Sequence, residues 1–162
     1  MKGDMKMISY NDIQKRLLFH EGAVDHVYKC PAGYLTIGIG RNLETNPLTA
    51  KEKEKVGDIK NGITLENALY LLKNDVKRCE KELSDNIAWF YQLDDERQYA
   101  LLDMCFNMGI KRLLGFKRML SAMVIGDYRG AAKECLNSKY ARDVKKRAER
   151  IARLIETGIW VK

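Results

Sequence analysis

The sequence is poor in residues that ligate metals or crosslink a chain, with two histidines and four cysteines among 162 residues. The cysteines form no CxxC pair, and neither His20 nor His26 shows a ligand spacing with any of them. Isolated cysteines in a chain without an export signal are typical of free thiols. We therefore expect free thiols and no zinc site from the four positions Cys30, Cys79, Cys105 and Cys135.

Long apolar runs are also missing. No segment approaches 18 uninterrupted apolar residues, so the sequence predicts no membrane span. The first 22 residues carry charges throughout instead of a continuous apolar segment, so we expect no signal peptide. There is no internal repeat and no low-complexity tract.

What is present is a globular composition with a basic surface. Apolar residues make up 46% and charged residues 31%, enough to bury one core or two small, closely joined lobes. The net charge is +7, and Lys and Arg are densest over residues 139 to 153. Such a surface favours a polyanion (nucleic acid, anionic lipid or an acidic cell wall), or is a solvated basic face without a dedicated partner.

Residues 21 to 43 stand out in a chain that otherwise has helical periodicity. A Pro-Ala-Gly turn at positions 31 to 33 separates two β-rich runs, and the second run alternates with period two up to Gly38-Ile-Gly40. This pattern predicts a hairpin or a three-stranded sheet over about residues 24 to 45. The further Gly and the helix of a dinucleotide fingerprint do not follow, so we expect no nucleotide cofactor.

Glu21 ends the first predicted helix, because Gly22 is a natural helix stop. A carboxylate at that position faces the negative end of the helix dipole, which disfavours its charged form. Glu21 is therefore either a surface residue that tolerates a small cost or a carboxylic acid kept protonated so that it can donate its proton.

Capping residues and apolar spacing predict helices along the rest of the chain. Their predicted ranges are residues 50 to 56, 64 to 84, 94 to 108, 116 to 125, 128 to 136 and 143 to 157. The run from Ala100 to Phe106 is apolar on nearly every side, which is typical of the central helix of a helical lobe. The fold class predicted is α+β, mostly α.

The catalytic interpretation comes from a resemblance. Glu21, eight residues, Cys30, five residues and Thr36, followed directly by Ile-Gly-Ile-Gly, resembles the catalytic region of the phage lysozymes, glycoside hydrolase family 24. The likeness runs nearly end to end. It includes the segments at residues 61 to 64, 100 to 109, 115 to 116, 147 to 148 and 157 to 160.

The resemblance implies a lysozyme-like fold in three parts. These are an N-terminal lobe over residues 1 to 63 that holds the catalytic hairpin, a connecting helix over 64 to 84, and a helical C-terminal lobe over 85 to 162, against which the helix of residues 9 to 21 packs. It also implies a monomer that cleaves the β-1,4 bond between N-acetylmuramic acid and N-acetylglucosamine in peptidoglycan, with inversion. No cofactor, metal or specific nucleic acid is expected.

The resemblance also implies roles for single residues. Glu21 would be the general acid, and Thr36 would hold the attacking water. Cys30 stands where the family has Asp or Cys. It would either assist the water as a thiolate or be a weak base at a tolerant position that leaves most of the work to Glu21 and Thr36; the alternative is an inert residue of the hairpin.

Other positions would support this site. Arg147 matches a family arginine that pairs with the catalytic Glu, and Arg41 replaces a family His, so that an ion pair from Arg41 to Asp75 is expected. The positions that would contact substrate are Asn42, Leu43, Phe106, Asn107 and Tyr140, where Asn107 replaces Gln and Tyr140 replaces Trp.

Two other functions stay open at this stage. Glu21 could act alone, as in a lytic transglycosylase, or the chain could be a non-catalytic basic module that binds wall polymer or nucleic acid. For the hydrolase, we expect an endolysin that accumulates in the host cytoplasm and reaches the anionic cell wall after a holin opens the membrane.

Overall fold

A computed structural model describes residues 8–161, which form an α+β protein that is mostly α, as predicted. The chain divides into two compact units. The first, Tyr10–Lys77, contains the sheet and is called the sheet-bearing unit. The second, which includes residues 8–9 and the chain from Arg78 onward, is called the helical unit. The division falls inside one long helix, and the domain boundaries given above remain predictions.

The sheet-bearing unit begins with a helix and continues into a small sheet. Its elements in order are α1 (Tyr10–Glu21), β1 (Val24–Lys29), β2 (Leu35–Gly38), β3 (Arg41–Asn42), α2 (Ala50–Val56), a 3-10 turn (Ile59–Asn61) and the first part of α3 (Leu65–Asn86). Ile13 and Leu17 of α1 and Ile37 of β2 are buried.

The sheet is antiparallel in the order β1-β2-β3, so of the two predicted arrangements the three-stranded one is correct. Tyr28 pairs with Thr36, and Thr36 pairs with Asn42. Directly opposed residues of antiparallel strands project to the same face. Tyr28, Thr36 and Asn42 therefore form one row of side chains across the sheet.

Capping residues define where the next two helices begin. At α2, the Thr49 side chain accepts a hydrogen bond from the Glu52 amide while the Glu52 carboxylate accepts one from the Thr49 amide, a complete capping box. At α3, the Thr64 hydroxyl accepts from the Asn67 amide. Both helices begin as predicted, and α3 runs two residues beyond its predicted end.

The helical unit continues from α3 through a 3-10 turn (Phe90–Gln92) into six further helices. These are α4 (Asp95–Met108), α5 (Ile110–Leu114), α6 (Lys117–Val124), α7 (Tyr128–Leu136), α8 (Lys139–Val144) and α9 (Lys146–Thr157). Tyr99, Leu101 and Leu102 of α4 are fully buried. The prediction that α4 is the central helix of this part of the chain agrees with that burial.

Two helix boundaries differ from the prediction. The chain continues after Gly109 into the short helix α5, which was not predicted. The last helix was predicted to begin at Asp143, but Ser138 caps the separate helix α8, and α9 begins only after Lys145. Lys145 has a φ of 45° and breaks the helical path, a conformation that no residue-type preference signals for lysine.

Within residues 8–161, no helix is both long enough and apolar enough to cross a membrane.

Candidate functional site

Glu21 is the last residue of α1. The Gly22 amide donates to the Leu18 carbonyl at 2.8 Å, and Gly22 has a φ of 68°, so the helix ends immediately after Glu21. The Glu21 side chain is half-buried. The helix therefore delivers a carboxyl group to the start of the sheet, as the sequence predicted.

The turn between β2 and β3 lies against this carboxyl group. A Cβ atom added at Gly40 would lie 2.6 Å from Glu21 Oε2 and 2.9 Å from its carboxyl carbon, closer than atoms can approach. Gly40 also has a φ of 68°, which glycine adopts without strain. Only glycine at position 40 lets the carboxyl group occupy this place, a requirement that was not predicted.

Cys30 and Thr36 meet at the hairpin between β1 and β2. The Cys30 amide and the Thr36 hydroxyl both donate to the Tyr34 carbonyl, each at 2.9 Å. The Thr36 side chain is also near enough to the Cys30 sulfur to lower the pKa of the thiol. A hydroxyl has one proton, so while it donates to Tyr34 its oxygen can accept from the Cys30 thiol. After the thiol ionises, the same hydroxyl can turn and donate to the sulfur.

The surroundings of Cys30 favour its thiolate form. Partial burial by itself raises the pKa of the thiol, but hydrogen bonds from the backbone of Tyr34, Ala32 and Gly33 and from the Thr36 side chain outweigh it, so the pKa lies below its ordinary value. A lower pKa means a larger thiolate fraction near neutral pH. Cys30 is thus a stronger candidate for a base than an isolated cysteine.

Tyr28 connects these groups and was not predicted as a site residue. It is the cross-strand partner of Thr36. Burial raises the pKa of the Tyr28 hydroxyl, and the nearby negative charges of Glu21 and of ionised Cys30 raise it further. Tyr28 therefore lies within electrostatic range of both groups. The sequence signal that could have identified it is its place opposite Thr36 in the predicted hairpin.

Arg41 anchors β3 through a buried cluster of charges. Its Nη1 lies 3.1 Å from Asp75 Oδ1, so the ion pair expected from the sequence is present. Its main partner is Glu52, which receives one hydrogen bond from each Nη atom at 3.0 and 2.6 Å. Nε donates to the Asn46 carbonyl and Nη2 also to the Pro47 carbonyl.

Glu52 was not predicted as part of this cluster. Burial by itself raises the pKa of its carboxyl group, but hydrogen bonds from Arg41, the Thr49 amide and Asn74 outweigh burial and lower the pKa to about 2. The carboxylate is therefore charged at any usual pH. The available signal was the capping box, which places Glu52 at the start of α2, next to the loop that follows β3.

The predicted substrate contacts in this unit are Asn42 and Leu43, and they differ in whether the side chain already makes hydrogen bonds within the protein. Asn42 Oδ1 accepts from the Glu44 and Thr45 amides at 2.9 and 3.0 Å, so that atom shapes the turn after β3. Leu43 lines a surface pocket with Pro47, Leu48 and Ile59, among other residues.

The remaining predicted residues belong to the helical unit. Arg147 Nε donates to Asp103 Oδ1 at 2.9 Å, and Asp103, which is fully buried, also accepts from the Tyr99 hydroxyl at 2.8 Å. Asp103 was not predicted. The signal was present, because an acidic residue inside an apolar helix must be paired. The pairing of Arg147 with Glu21 remains a prediction.

Phe106 and Asn107 lie in the last turn of α4, where Phe106 is half-buried and Asn107 exposed. Tyr140 is mostly buried, at 8% exposure, and its ring packs edge-to-face against Phe116. Its hydroxyl has no hydrogen-bond partner among the described protein groups. Their roles as substrate contacts remain predictions.

Comparison with known proteins identifies the relatives of this chain. The sequence profile of the family described as Phage lysozyme matches residues 19–154. Probable T4-type lysozyme 1 of Dictyostelium discoideum is 33% identical and the alignment covers 91% of this chain and 95% of that protein. Probable T4-type lysozyme 2 of the same organism is 28% identical over the same shares of each chain.

A further relative is a much longer protein. The pre-baseplate central spike protein Gp5 of Enterobacteria phage T4 is 30% identical over 85% of this chain, and the matching part is 26% of that protein. With the profile match and the near full-length relatives, the conclusion is that the chain belongs to the phage lysozyme family.

Proposed function

We propose that this chain is an inverting muramidase in which Glu21 is the general acid and Thr36 and Cys30 together hold and activate the attacking water. Membership in the phage lysozyme family makes it a peptidoglycan hydrolase of the muramidase type. The observation that carries the finer proposal is that the Cys30 amide and the Thr36 hydroxyl meet at the Tyr34 carbonyl, where the pKa of the Cys30 thiol is lowered.

The first half of the reaction requires a proton on the leaving oxygen. Glu21 donates its carboxyl proton to the glycosidic oxygen as the bond from that oxygen to the anomeric carbon breaks. The contact with Gly40 supports this role, because it limits where the carboxyl group can point. Holding an acid in one position removes part of the entropic cost of the reaction.

The second half requires a water on the opposite face of the sugar. The Thr36 hydroxyl gives its one proton to the Tyr34 carbonyl or, after Cys30 ionises, to the sulfur, so in either state its oxygen is left to accept a hydrogen bond from that water. A water that donates to Thr36 keeps a lone pair for attack on the anomeric carbon. The Cys30 thiolate accepts the proton that the water loses as the new bond forms.

This arrangement favours hydrolysis over cyclisation. A lytic transglycosylase reaction uses a hydroxyl of the sugar itself as nucleophile and has no need of a group that positions water. A fixed hydroxyl and a thiol of lowered pKa beside it are what a hydrolase requires. Within the sheet-bearing unit, Asn42 and Leu43 are the residues proposed to contact the sugar chain.

The decisive experiment is digestion of purified peptidoglycan by the wild-type chain and by Glu21→Gln. We expect the wild type to clear a wall suspension and Glu21→Gln to lose at least a thousandfold in rate. Mass spectrometry of the products should find reducing ends. Anhydro-muramic products would replace the proposal with the transglycosylase reaction, and equal clearing by both proteins would remove Glu21 from the mechanism.

Cys30 has its own test. Cys30→Asp should keep activity, whereas Cys30→Ala should lose about 100-fold, the usual contribution of a general base. A base acts only when deprotonated, so wild-type activity should fall as the pH drops through the pKa of Cys30. Cys30→Asp should stay active to lower pH, because aspartate ionises near pH 4. Full activity in Cys30→Ala would assign Cys30 a structural role only.

The biological setting proposed is that of an endolysin, released to the wall when a holin opens the host membrane. The net charge of +7 supports attraction to an anionic wall. Expression in the bacterial cytoplasm should leave cells intact until the inner membrane is permeabilised, and lysis should then follow. Permeabilised cells that stay intact while the purified chain digests their walls would contradict this role alone.

A further inference from the structure

The helical unit buries two cysteines next to each other. Cys79 lies on α3 and Cys105 on α4, and both are at most 1% exposed. Glu82 follows Cys79 by three residues, so both lie on one face of α3. Two sulfur atoms and one carboxylate oxygen from these residues all lie within 4.8 Å of one another, the one group of three potential metal ligands found within residues 8–161.

The spacing of these atoms suits a metal ion. Zinc binds thiolate sulfur at about 2.3 Å, so two sulfurs on a tetrahedral zinc ion are about 3.8 Å apart. Ligand atoms already within 4.8 Å of one another reach that arrangement by small side-chain rotations. A disulfide would need the sulfurs about 2 Å apart and the correct dihedral angle, which is a larger demand on two packed helices.

Arg78 supports the carboxylate of this group. Its Nη1 lies 2.8 Å from Glu82 Oε1. A metal-ligating carboxylate is commonly held by such an outer hydrogen bond, which fixes its orientation. The positive charge of Arg78 also offsets the negative charge that two thiolates and a carboxylate would bring to one cation. The Glu82 side chain is 33% exposed and both sulfur-bearing residues are buried, so the carboxylate is the ligand of the three that solvent reaches.

We infer that Cys79, Glu82 and Cys105 form a binding site for one divalent cation of the zinc class. Binding replaces the two thiol protons, which are released to solvent, and a water completes the coordination of the ion. The site joins α3 to α4, so its function is to stabilise the helical unit. The sequence predicted no metal site, because spacing along the chain does not show that α3 and α4 bring Cys79 and Cys105 together.

The test uses the full chain with Cys30→Ser, so that the half-buried thiol at position 30 does not bind the probe. The reduced, metal-free protein is titrated with Cd²⁺, and the charge-transfer absorbance of a cadmium thiolate is followed. We expect one ion per chain, displacement of Cd²⁺ by Zn²⁺, and a higher Tm when Zn²⁺ is present. Binding should also tighten as the pH rises, because the thiols must lose their protons.

Substitutions separate this site from buried cysteines in general. Cys79→Ala and Cys105→Ala should abolish the absorbance band, and Glu82→Gln, which changes a partly exposed side chain and should fold normally, should weaken binding at least tenfold. Cys135→Ala is the matched control, because Cys135 is also fully buried but lies outside the group. Absence of the band in the parent chain, its persistence in Cys79→Ala, or equal loss in Cys135→Ala would overturn the inference.

Discussion

Each unit buries one cluster of charges, and the two clusters are built differently. In the sheet-bearing unit, Arg41 uses Nε and both Nη atoms on Glu52, Asp75 and two loop carbonyls. In the helical unit, Asp103 is shared by Tyr99 and Arg147. The hydroxyl of Tyr140 lies close enough to Asp103 for that charge to raise its pKa, after the larger effect of burial, yet no described protein group pairs with it.

The difference reflects what each cluster must hold in place. The Arg41 cluster joins β3, the following loop, α2 and α3, and so fixes irregular backbone next to the turn that contacts Glu21. The Asp103 cluster joins two helices, α4 and α9, whose own backbones are already regular. Because a complete hydrogen-bond set orients a loop, we expect the first cluster to matter for the geometry of the proposed site and the second for stability.

Among the substitutions that test this comparison of the two units, the largest effect on activity should come from Gly40→Ala, at the residue before Arg41. The new methyl group would occupy the position of the Glu21 carboxyl group and displace it. We expect kcat/KM on peptidoglycan to fall about 100-fold, the size typical of a misplaced catalytic group.

The matched control for Gly40 is Gly57→Ala. Gly57 lies in the same unit with a φ of 75°, and a Cβ there would meet nothing within 4 Å. Both variants place a Cβ atom on backbone of positive φ and should lose about 1–3 kcal/mol of stability. The loss should be at the upper end for Gly57, whose φ of 75° and ψ of −156° lie in a region essentially restricted to glycine, but Gly57→Ala should keep its activity. Equal activities in the two variants would show that the position of Glu21 does not depend on this turn.

The next largest effect is expected for Glu52→Gln. Breaking a buried ion pair on one side costs about 3 kcal/mol, so urea unfolding at pH 7 should show a loss of that size. The folded-state pKa of Glu52 is about 2, below that of the unfolded chain. Its contribution is therefore complete above about pH 5 and is lost as the pH falls towards 2. The difference between wild type and variant should shrink over that range; a constant difference would contradict the ionic explanation.

A smaller effect should separate Tyr99 and Tyr140, the tyrosines whose hydroxyls interact with Asp103. Tyr99→Phe removes a hydroxyl that donates to buried Asp103 and should cost about 1–2 kcal/mol. Tyr140→Phe removes a hydroxyl without a protein partner and should be neutral or slightly stabilising. The measurement is the free energy of unfolding of both variants in urea. An equal loss in both would mean that the Tyr140 hydroxyl is paired in solution.

What could be predicted from the sequence depends on how close together in the chain the interacting residues are. The hairpin, Glu21 at a helix end and the capped starts of α2 and α3 depend on residues close together in the chain, and all were predicted. The ion pair from Arg41 to Asp75 was expected from the resemblance alone. The contribution of Glu52 to it was not, because a capping residue does not signal a second partner.

Contacts that depend on register or on helix packing were not predicted. The contact of Gly40 with Glu21, the place of Tyr28 opposite Thr36 and the burial of Asp103 against Arg147 are examples. The first and the third involve two elements whose relative position is set by the packing of a whole unit, whereas the second required the register of the predicted hairpin. The break between α8 and α9 was missed for a different reason, since the conformation at Lys145 opposes the preference of its residue type.

The smallest effect is expected at that break. The described residues of the sheet-bearing unit with positive φ are all glycines, whereas in the helical unit Lys145 is a non-glycine residue with a φ of 45°. The strain of such a residue destabilises the folded state by about 1–3 kcal/mol, and glycine would remove most of it. Glycine also increases the conformational entropy of the unfolded chain, which costs somewhat less than about 1 kcal/mol of stability. Lys145→Gly should therefore stabilise the protein by about 1 kcal/mol, a rise in Tm of about 2–4 °C.

Lys145→Ala separates strain from charge in this last test, because it removes the same positive charge but retains a Cβ atom. Calorimetry should show a higher Tm than that of the wild type for Lys145→Gly and an unchanged Tm for Lys145→Ala. A similar rise in both would mean that repulsion among the basic residues near the start of α9, and not the backbone, limits stability here. A fall in Tm for Lys145→Gly would mean that packing over α8 and α9 offsets the strain, so that the helical unit depends on the residue at position 145 as the sheet-bearing unit depends on Gly40.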